Sequence, residues 1–337
     1  MPGRSSLYYE RRVEIERKTS GPPSKKSRGE EMVKFIFRRL VTMIPVLLVV
    51  SILVFMMVHL MPGDAAKIIA GEAATEADIE RVRVAQGFDR PLPEQYIRYI
   101  GNVLRGDMGT SIRTNRPVSE EIMSRLPNTL ILAAAAILIS IVVGISIGII
   151  SATKRYSIFD NFSMLFALFG LSIPPFYLGL MLMLLFSVML KWLPISGGVT
   201  LAGIILPAIT LSARSMATIA RMTRSSMLEV MSQDYIQTAR AQGFSERRVI
   251  FGHALKNSMN TIVTVAGLQF GSLLGGAVIT EQVFGWPGLG SLVVTAIRAR
   301  DFPVVQSTIL VLACMFVLIN LLVDILYAFI NPRIKLS

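Results

Sequence analysis

The sequence predicts an all-α integral membrane protein that crosses the bilayer six times, with both ends on the cytoplasmic side. Three observations carry this. Hydrophobic residues make up 53% of the 337 and charged residues only 17%, whereas soluble domains carry about 25% charge. Six runs approach the roughly 20 mostly apolar residues that a helix needs to cross the hydrocarbon. The excess of Lys and Arg falls on one set of connecting segments.

The six runs are Leu40–Met61, Thr129–Ala152, Phe162–Leu190, Leu201–Ala220, Thr261–Ile279 and Val304–Phe329. The fourth is the weakest, because it contains Pro207 and Arg214. With the N-terminus inside, the cytoplasmic segments hold 21 Lys and Arg against 9 Asp and Glu, and the long outer segment from Pro62 to Asn128 holds 9 against 10. The net charge of +12 therefore sits on one face, as in a multi-pass membrane protein, and nucleic-acid binding loses its main support.

The first 31 residues are polar and charged and bury too little apolar surface to offset ordering entropy. They read as a disordered cytosolic extension, and Met32 is an equally good chain start for a permease domain of residues 32–337. The first apolar run is too long for a signal-peptide core and stays as an anchor. In the outer segment, residues 62–128, Thr75-Glu76-Ala77-Asp78 resembles a capping box with Gly87 placed to end its helix, and a second short helix is expected over Pro93–Leu104.

Few residues suggest chemistry. One cysteine, Cys314, and two separated histidines, His59 and His253, supply no disulfide framework and no multi-ligand metal site. Gly144-Ile145-Ser146-Ile147-Gly148 matches a nucleophile elbow, but it lies inside an apolar helix, where the same glycines serve close helix packing. Gly267, Gly271 and Gly275 fall on one face of the fifth span, for packing or for contact with a translocation path. Pro174-Pro175 is expected to bend or unwind the third span. Arg214 is expected to snorkel to the cytoplasmic side, and Asp324 to pair locally with Tyr327 and Arg333. No Gly-Lys dipeptide occurs, so the chain has no P-loop of its own.

The cytoplasmic segment 221–258 is too long and too regularly patterned for a connector. Ser232 is placed to cap a short helix from Gln233, Ile236 and Ala239 share one of its faces, and Gly243 is placed to end it. Ser245 can cap the next helix. The bend suits insertion of its first arm into a groove on another protein; a solvated basic loop, or one held by anionic lipid, remains equally open on composition.

Here the residues resemble a known family. Asp234-Tyr235-Ile236-Gln237-Thr238-Ala239-Arg240-Ala241-Gln242-Gly243, followed by His253-Ala254-Leu255, is similar to the EAA loop of bacterial ATP-binding-cassette (ABC) importer permeases of the dipeptide, oligopeptide and nickel group. Gln237-Thr238-Ala239 takes the E-A-A positions, and Gly243 and Leu255 match, whereas the Glu, Ile and Pro of the pattern are replaced by Gln237, His253 and Lys256. Further blocks extend the resemblance over nearly everything after Met32. They are Met61-Pro62-Gly63-Asp64, Phe88-Asp89-Arg90-Pro91-Leu92 with Gln95-Tyr96, and Gly106-Asp107-Met108-Gly109-Thr110-Ser111. Later in the chain come Phe284-Gly285-Trp286-Pro287-Gly288-Leu289-Gly290, Arg300-Asp301-Phe302-Pro303-Val304-Val305-Gln306, and Asn331-Pro332-Arg333-Ile334.

The resemblance implies a type I ABC importer permease fold in a bacterial inner membrane and a non-catalytic subunit. Its partners would be a second, homologous permease, two ABC ATPase subunits and an extracytoplasmic substrate-binding protein, with membrane lipid around it and no nucleic acid. ATP and Mg would be bound by the ATPase subunits, and this chain would hold no cofactor. Tyr235, Gln237, Thr238, Ala239, Gly243 and Leu255 would form the ATPase-coupling loop, with Ala239 and Gly243 fitting a groove on the ATPase. Short peptides, nickel chelates and glutathione-like compounds are all open as substrates. An ion- or proton-coupled carrier is the alternative, for which Asp324 alone is thin support.

Overall fold

The computed structural model describes residues 25–60, 64–71, 74–196 and 198–330. Among them the chain forms α1 (Lys25–Leu60), α2 (Ala65–Ala70), α3 (Glu76–Gln86), α4 (Leu92–Leu104), α5 (Val118–Thr153) and α6 (Ile158–Ser172). There follow α7 (Pro175–Met189), α8 (Leu201–Met231), α9 (Asp234–Ala241), α10 (Glu246–Phe284), α11 (Leu289–Ala299) and α12 (Phe302–Ile330). Among the described residues five helices, α1, α5, α8, α10 and α12, are each long and apolar enough to cross a membrane, and α6 with α7 forms a sixth, bent span.

That bend is 110° and falls at Pro174-Pro175, where the third span was expected to bend or unwind. Pro174 holds Ile173 in an extended conformation (φ −76°, ψ 127°), and Pro175 contributes no N–H to a continuing ladder, so the helix stops and restarts. The pair still traverses the molecule. Asp160 lies against Arg224 near the inner end of α8, Gly170 against Ala213 midway, and Gly179 against Phe284 at the outer end of α10.

At the centre α5, α8 and α10 pack together, α12 lies on α10, and α1 lies outermost against α12. The glycines of α5 set the first contact. A Cβ on Gly144 would sit 2.9 Å from the Met216 carbonyl oxygen, and one on Gly148 only 2.5 Å from Cβ of Thr223. The helices approach to a distance that side chains forbid, as the packing reading expects. Gly267 and Gly271 do the same for α10 on α12, facing Val323 and Asn320, whereas Gly275 faces open space.

Tyr327, whose side chain was one expected partner of Asp324, is described in its backbone alone. Asp324 forms an ion pair of 3.2 Å with Arg39 of α1, and Arg333 lies outside the described residues. Much of the molecule's periphery is apolar and exposed, as with Phe166 and Phe37, which fits helices whose outer faces meet lipid. The expected disordered extension, residues 1–31, lies mostly outside the described residues; where description begins, at Lys25, the backbone is already helical.

Candidate functional site

On the outer side, three of the resembling blocks meet in space. Thr75 and Asp78 form the expected capping box of α3, and Gly87 closes it at φ +74°; the hydrogen bonds from Thr75 hold the Asp78 carboxyl below the usual carboxylate range. Burial pushes the Tyr99 phenol of α4 up to about 12. Ser111 donates to the Asp301 carboxylate at 2.5 Å, and the Ile112 and Arg113 amides approach the same group at 3.3 and 3.4 Å. The 106–111 block is thereby tied to the 300–306 block.

The third block, 284–290, turns the chain from α10 into the short α11. There Glu281, fully buried, accepts from Thr129 Oγ1 at 2.7 Å and from the Gly290 and Ser291 amides at 2.7 and 3.1 Å. A carboxylate thus caps the positive end of α11, and Thr129 Oγ1 in turn accepts from the Leu289 amide at 2.8 Å. Gly288 is required because a Cβ there would overlap the Glu281 carboxylate. Asn128 and Trp286 complete the corner, Asn128 Nδ2 donating to the Pro287 carbonyl at 2.8 Å and Trp286 Nε1 to the Asn128 carbonyl at 3.0 Å. Sequence reasoning missed Glu281, Asp301 and the Asp160–Arg224 pair; a carboxylate inside or beside an apolar run was the signal available for each.

On the inner side α8 continues to Met231, eleven residues beyond its expected end. Ser232 therefore closes α8, its hydroxyl bonded to the Glu229 carbonyl at 2.7 Å, and Gln233 takes the N-cap position of α9. This corrects the assignment of Ser232 as the cap. Gly243 adopts the left-handed conformation expected of it, φ +81°, with open space where a Cβ would stand. Ser245 occupies the N-cap position of α10 without a side-chain hydrogen bond.

Ile236 and Ala239 share a face, as expected, but that face points into the protein. Both are buried, with Ala239 only 6% exposed, in a cluster with Ala152, Met227, Val249 and Ala254. Ala239 is therefore a packing residue of the loop's own core, which corrects its placement against a partner's groove. Gln237, Thr238, Ala241 and Gln242 face outward, Tyr235 is exposed, and Leu255 is half-buried.

The loop is also cross-tied. Arg240 Nε meets Glu246 at 2.7 Å, Asn257 donates to the Tyr235 hydroxyl at 3.0 Å, and the Phe244 ring stacks on His253 and carries the Arg248 guanidinium 4.6 Å from its centroid. His253, where the family pattern carries Ile, thus serves as a stacking surface. α9 is thus packed against Met227 of α8 and both packed and bonded to α10. Among the described residues no group of three His, Cys, Asp or Glu is placed to hold a metal ion.

Five straight spans and one bent span, with a short helix mounted on the cytoplasmic ends of α8 and α10, define a multi-pass membrane protein. Two family models match it, "Binding-protein-dependent transport system inner membrane component" over residues 144–336 and the N-terminal component of such membrane proteins over residues 32–133. The chain belongs to this family of ABC importer permeases. Similar curated relatives are the proteins named "Glutathione transport system permease protein GsiC" of Pectobacterium atrosepticum (47% identical), Salmonella typhi (48%) and Escherichia coli (47%). Each alignment covers 90% of this chain and 99% of the relative. Among solved structures, two inward-facing crystal forms of the MetNI methionine ABC transporter share the fold. Both have a TM-score of 0.53, with 19% and 18% identity, over 62% and 63% of this chain and 96% of theirs.

The chain is thus a non-catalytic, multi-pass inner-membrane subunit that works with an ATPase and a substrate-binding protein. Its energy comes from ATP hydrolysis in another subunit, which displaces the ion-coupled alternative.

Proposed function

We propose that this chain imports short peptides of the glutathione type, in an assembly of two homologous permeases, two ABC ATPases and an extracytoplasmic binding protein. The identity of 47–48% over nine-tenths of the chain to glutathione permeases supports the substrate class. ATP and Mg stay on the ATPase subunits, and this chain needs no cofactor. Residues 32–337 make up the working permease, since the family match begins at residue 32.

The observation that carries the coupling reading is the mounting of α9. Ile236 and Ala239 fasten it to the membrane helices while Gln237, Thr238 and Ala241 stand outward. Those outward residues, with Tyr235 beside them and Gly243 making the turn, contact the ATPase; Ala239 and Leu255 hold the loop in shape. The test separates the two roles. Thr238→Trp should leave the permease folded while abolishing glutathione uptake and binding-protein-stimulated ATP hydrolysis in proteoliposomes. Ala239→Trp should instead disrupt the permease itself, because overpacking a filled site costs about 1–3 kcal/mol or more. Full uptake by an assembled Thr238→Trp transporter would refute the coupling reading.

A further inference from the structure

The face of α8 that this chain leaves uncovered changes side and character midway along the helix. Its 31 residues span about 47 Å at about 1.5 Å per residue. Arg214 stands about 20 Å from the outer end and about 26 Å from the inner end, inside the apolar run and about 9 Å before its last residue, Ala220. In the outer half the exposed positions are apolar, Ala202, Ile205 and Ile209. In the inner half Arg214, Arg221 and Ser225 are exposed and Thr218 half-buried. At about 100° per residue these four fall within about 60° of one another, on the opposite side of the helix from the apolar three.

A guanidinium left in hydrocarbon is costly, and charged residues in membrane spans face a polar interior, a partner or a water-filled cavity. No hydrogen bond or ion pair to the Arg214 guanidinium occurs among the described residues. Other helices of this chain cover the far sides of α8: α5 packs beside Met216 and Ile219, α6 beside Ala213 and Ala217, and α10 beside Leu211. The stripe carries cations alone until Glu229, about 22 Å further on at the cytoplasmic end.

We propose that the Arg214 stripe lines a water-filled inner half of the translocation path, and that Arg214 draws a carboxylate of the passing solute into it. The inference rests on the importer reading with a carboxylate-bearing peptide as cargo. Charge complementarity fixes the occupant: a stripe of guanidinium and hydroxyl groups attracts an anion and repels free cations.

The test uses the assembled transporter with Cys314→Ser and Thr218→Cys, one helical turn from Arg214. Anionic sulfonatoethyl and cationic trimethylammonioethyl methanethiosulfonates serve as probes in the nucleotide-free state. Both should react at position 218, and the ratio of anionic to cationic rate should fall about tenfold on adding Arg214→Gln. Glutathione uptake should fall by a similar factor in Arg214→Gln and be largely kept in Arg214→Lys, with binding-protein-stimulated ATP hydrolysis retained in both. Absence of reaction at position 218, or a ratio unmoved by Arg214→Gln, overturns the proposal. Disassembly of the Arg214→Gln transporter also overturns it, since the arginine would then pair with an acid of the second permease. A tenfold ratio change in a transporter that takes up no glutathione supports the anion path and removes the glutathione reading instead.

Discussion

Replacing Glu281 tests whether one buried carboxylate holds the outer end of the permease together. In Glu281→Ala three donors lose their acceptor: the Thr129 hydroxyl at 2.7 Å and the Gly290 and Ser291 amides at 2.7 and 3.1 Å. Polar bonds inside membrane proteins average about 0.6 kcal/mol, so three set a floor of about 2 kcal/mol. Breaking a buried, hydrogen-bonded charge in soluble proteins costs about 3–5 kcal/mol, which sets the ceiling. Glu281→Gln should cost less, about 1 kcal/mol. Its amide oxygen can still take the two backbone N–H groups, and its NH₂ can donate to Thr129 Oγ1. That oxygen already accepts from the Leu289 amide at 2.8 Å, but a hydroxyl has two acceptor lone pairs. Only the Thr129 hydrogen must turn elsewhere. The assay is the thermal unfolding midpoint of the purified transporter, together with hydrogen exchange at Gly290 and Ser291. The midpoints should rank Glu above Gln above Ala, with exchange at both amides raised in the alanine variant. A Glu281→Ala protein with an unchanged midpoint and unchanged exchange at both amides would show that the carboxylate does not cap α11.

Gly148→Leu should lower stability by about 2–3 kcal/mol and separate α5 from α8, since its Cβ would stand 2.5 Å from that of Thr223 where contacts want about 3.5–4 Å; a cross-link between the two helices that forms equally well in the variant would count against this. Asp160→Asn should destabilise by about 3 kcal/mol in denaturant titration, because Asp160 is 1% exposed and takes both Arg224 Nε and an Nη at 2.7 and 2.8 Å; Asp160→Asn with Arg224→Met together should recover part of the loss. Cysteine labels at Ser119 and Ser245 should react from opposite faces of the membrane, Ser119 from outside, and labelling of both from one face would sink the six-span topology.

How much of this was readable from the sequence divides along a physical line. Membrane residence, the number of crossings and the N-in orientation follow from apolar run length and the one-sided Lys and Arg, both properties of the chain that the bilayer reads directly. Local stops and starts followed too: the Thr75 capping box, Gly87 and Gly243 in the left-handed conformation, and the Pro174-Pro175 break are each decided by a few adjacent residues. The resemblance in the 234–255 segment already pointed to the permease family.

What the sequence left undecided depends on partners distant in the chain. Periodicity put Ile236 and Ala239 on one face but could not say whether that face meets this protein or another; the packing of Met227, Val249 and Ala254 turned it inward. Asp324 found Arg39, far away along the chain, and Glu281 found an acceptor's role only because α11 folds back onto α10 and brings the Gly290 and Ser291 amides with it. The apolar run of the fourth span stops at Ala220, yet α8 runs on to Met231. An apolar run shows where hydrocarbon ends, but a helix ends where its backbone loses hydrogen-bonding partners, and for α8 that point lies at Met231, set by the turn into α9.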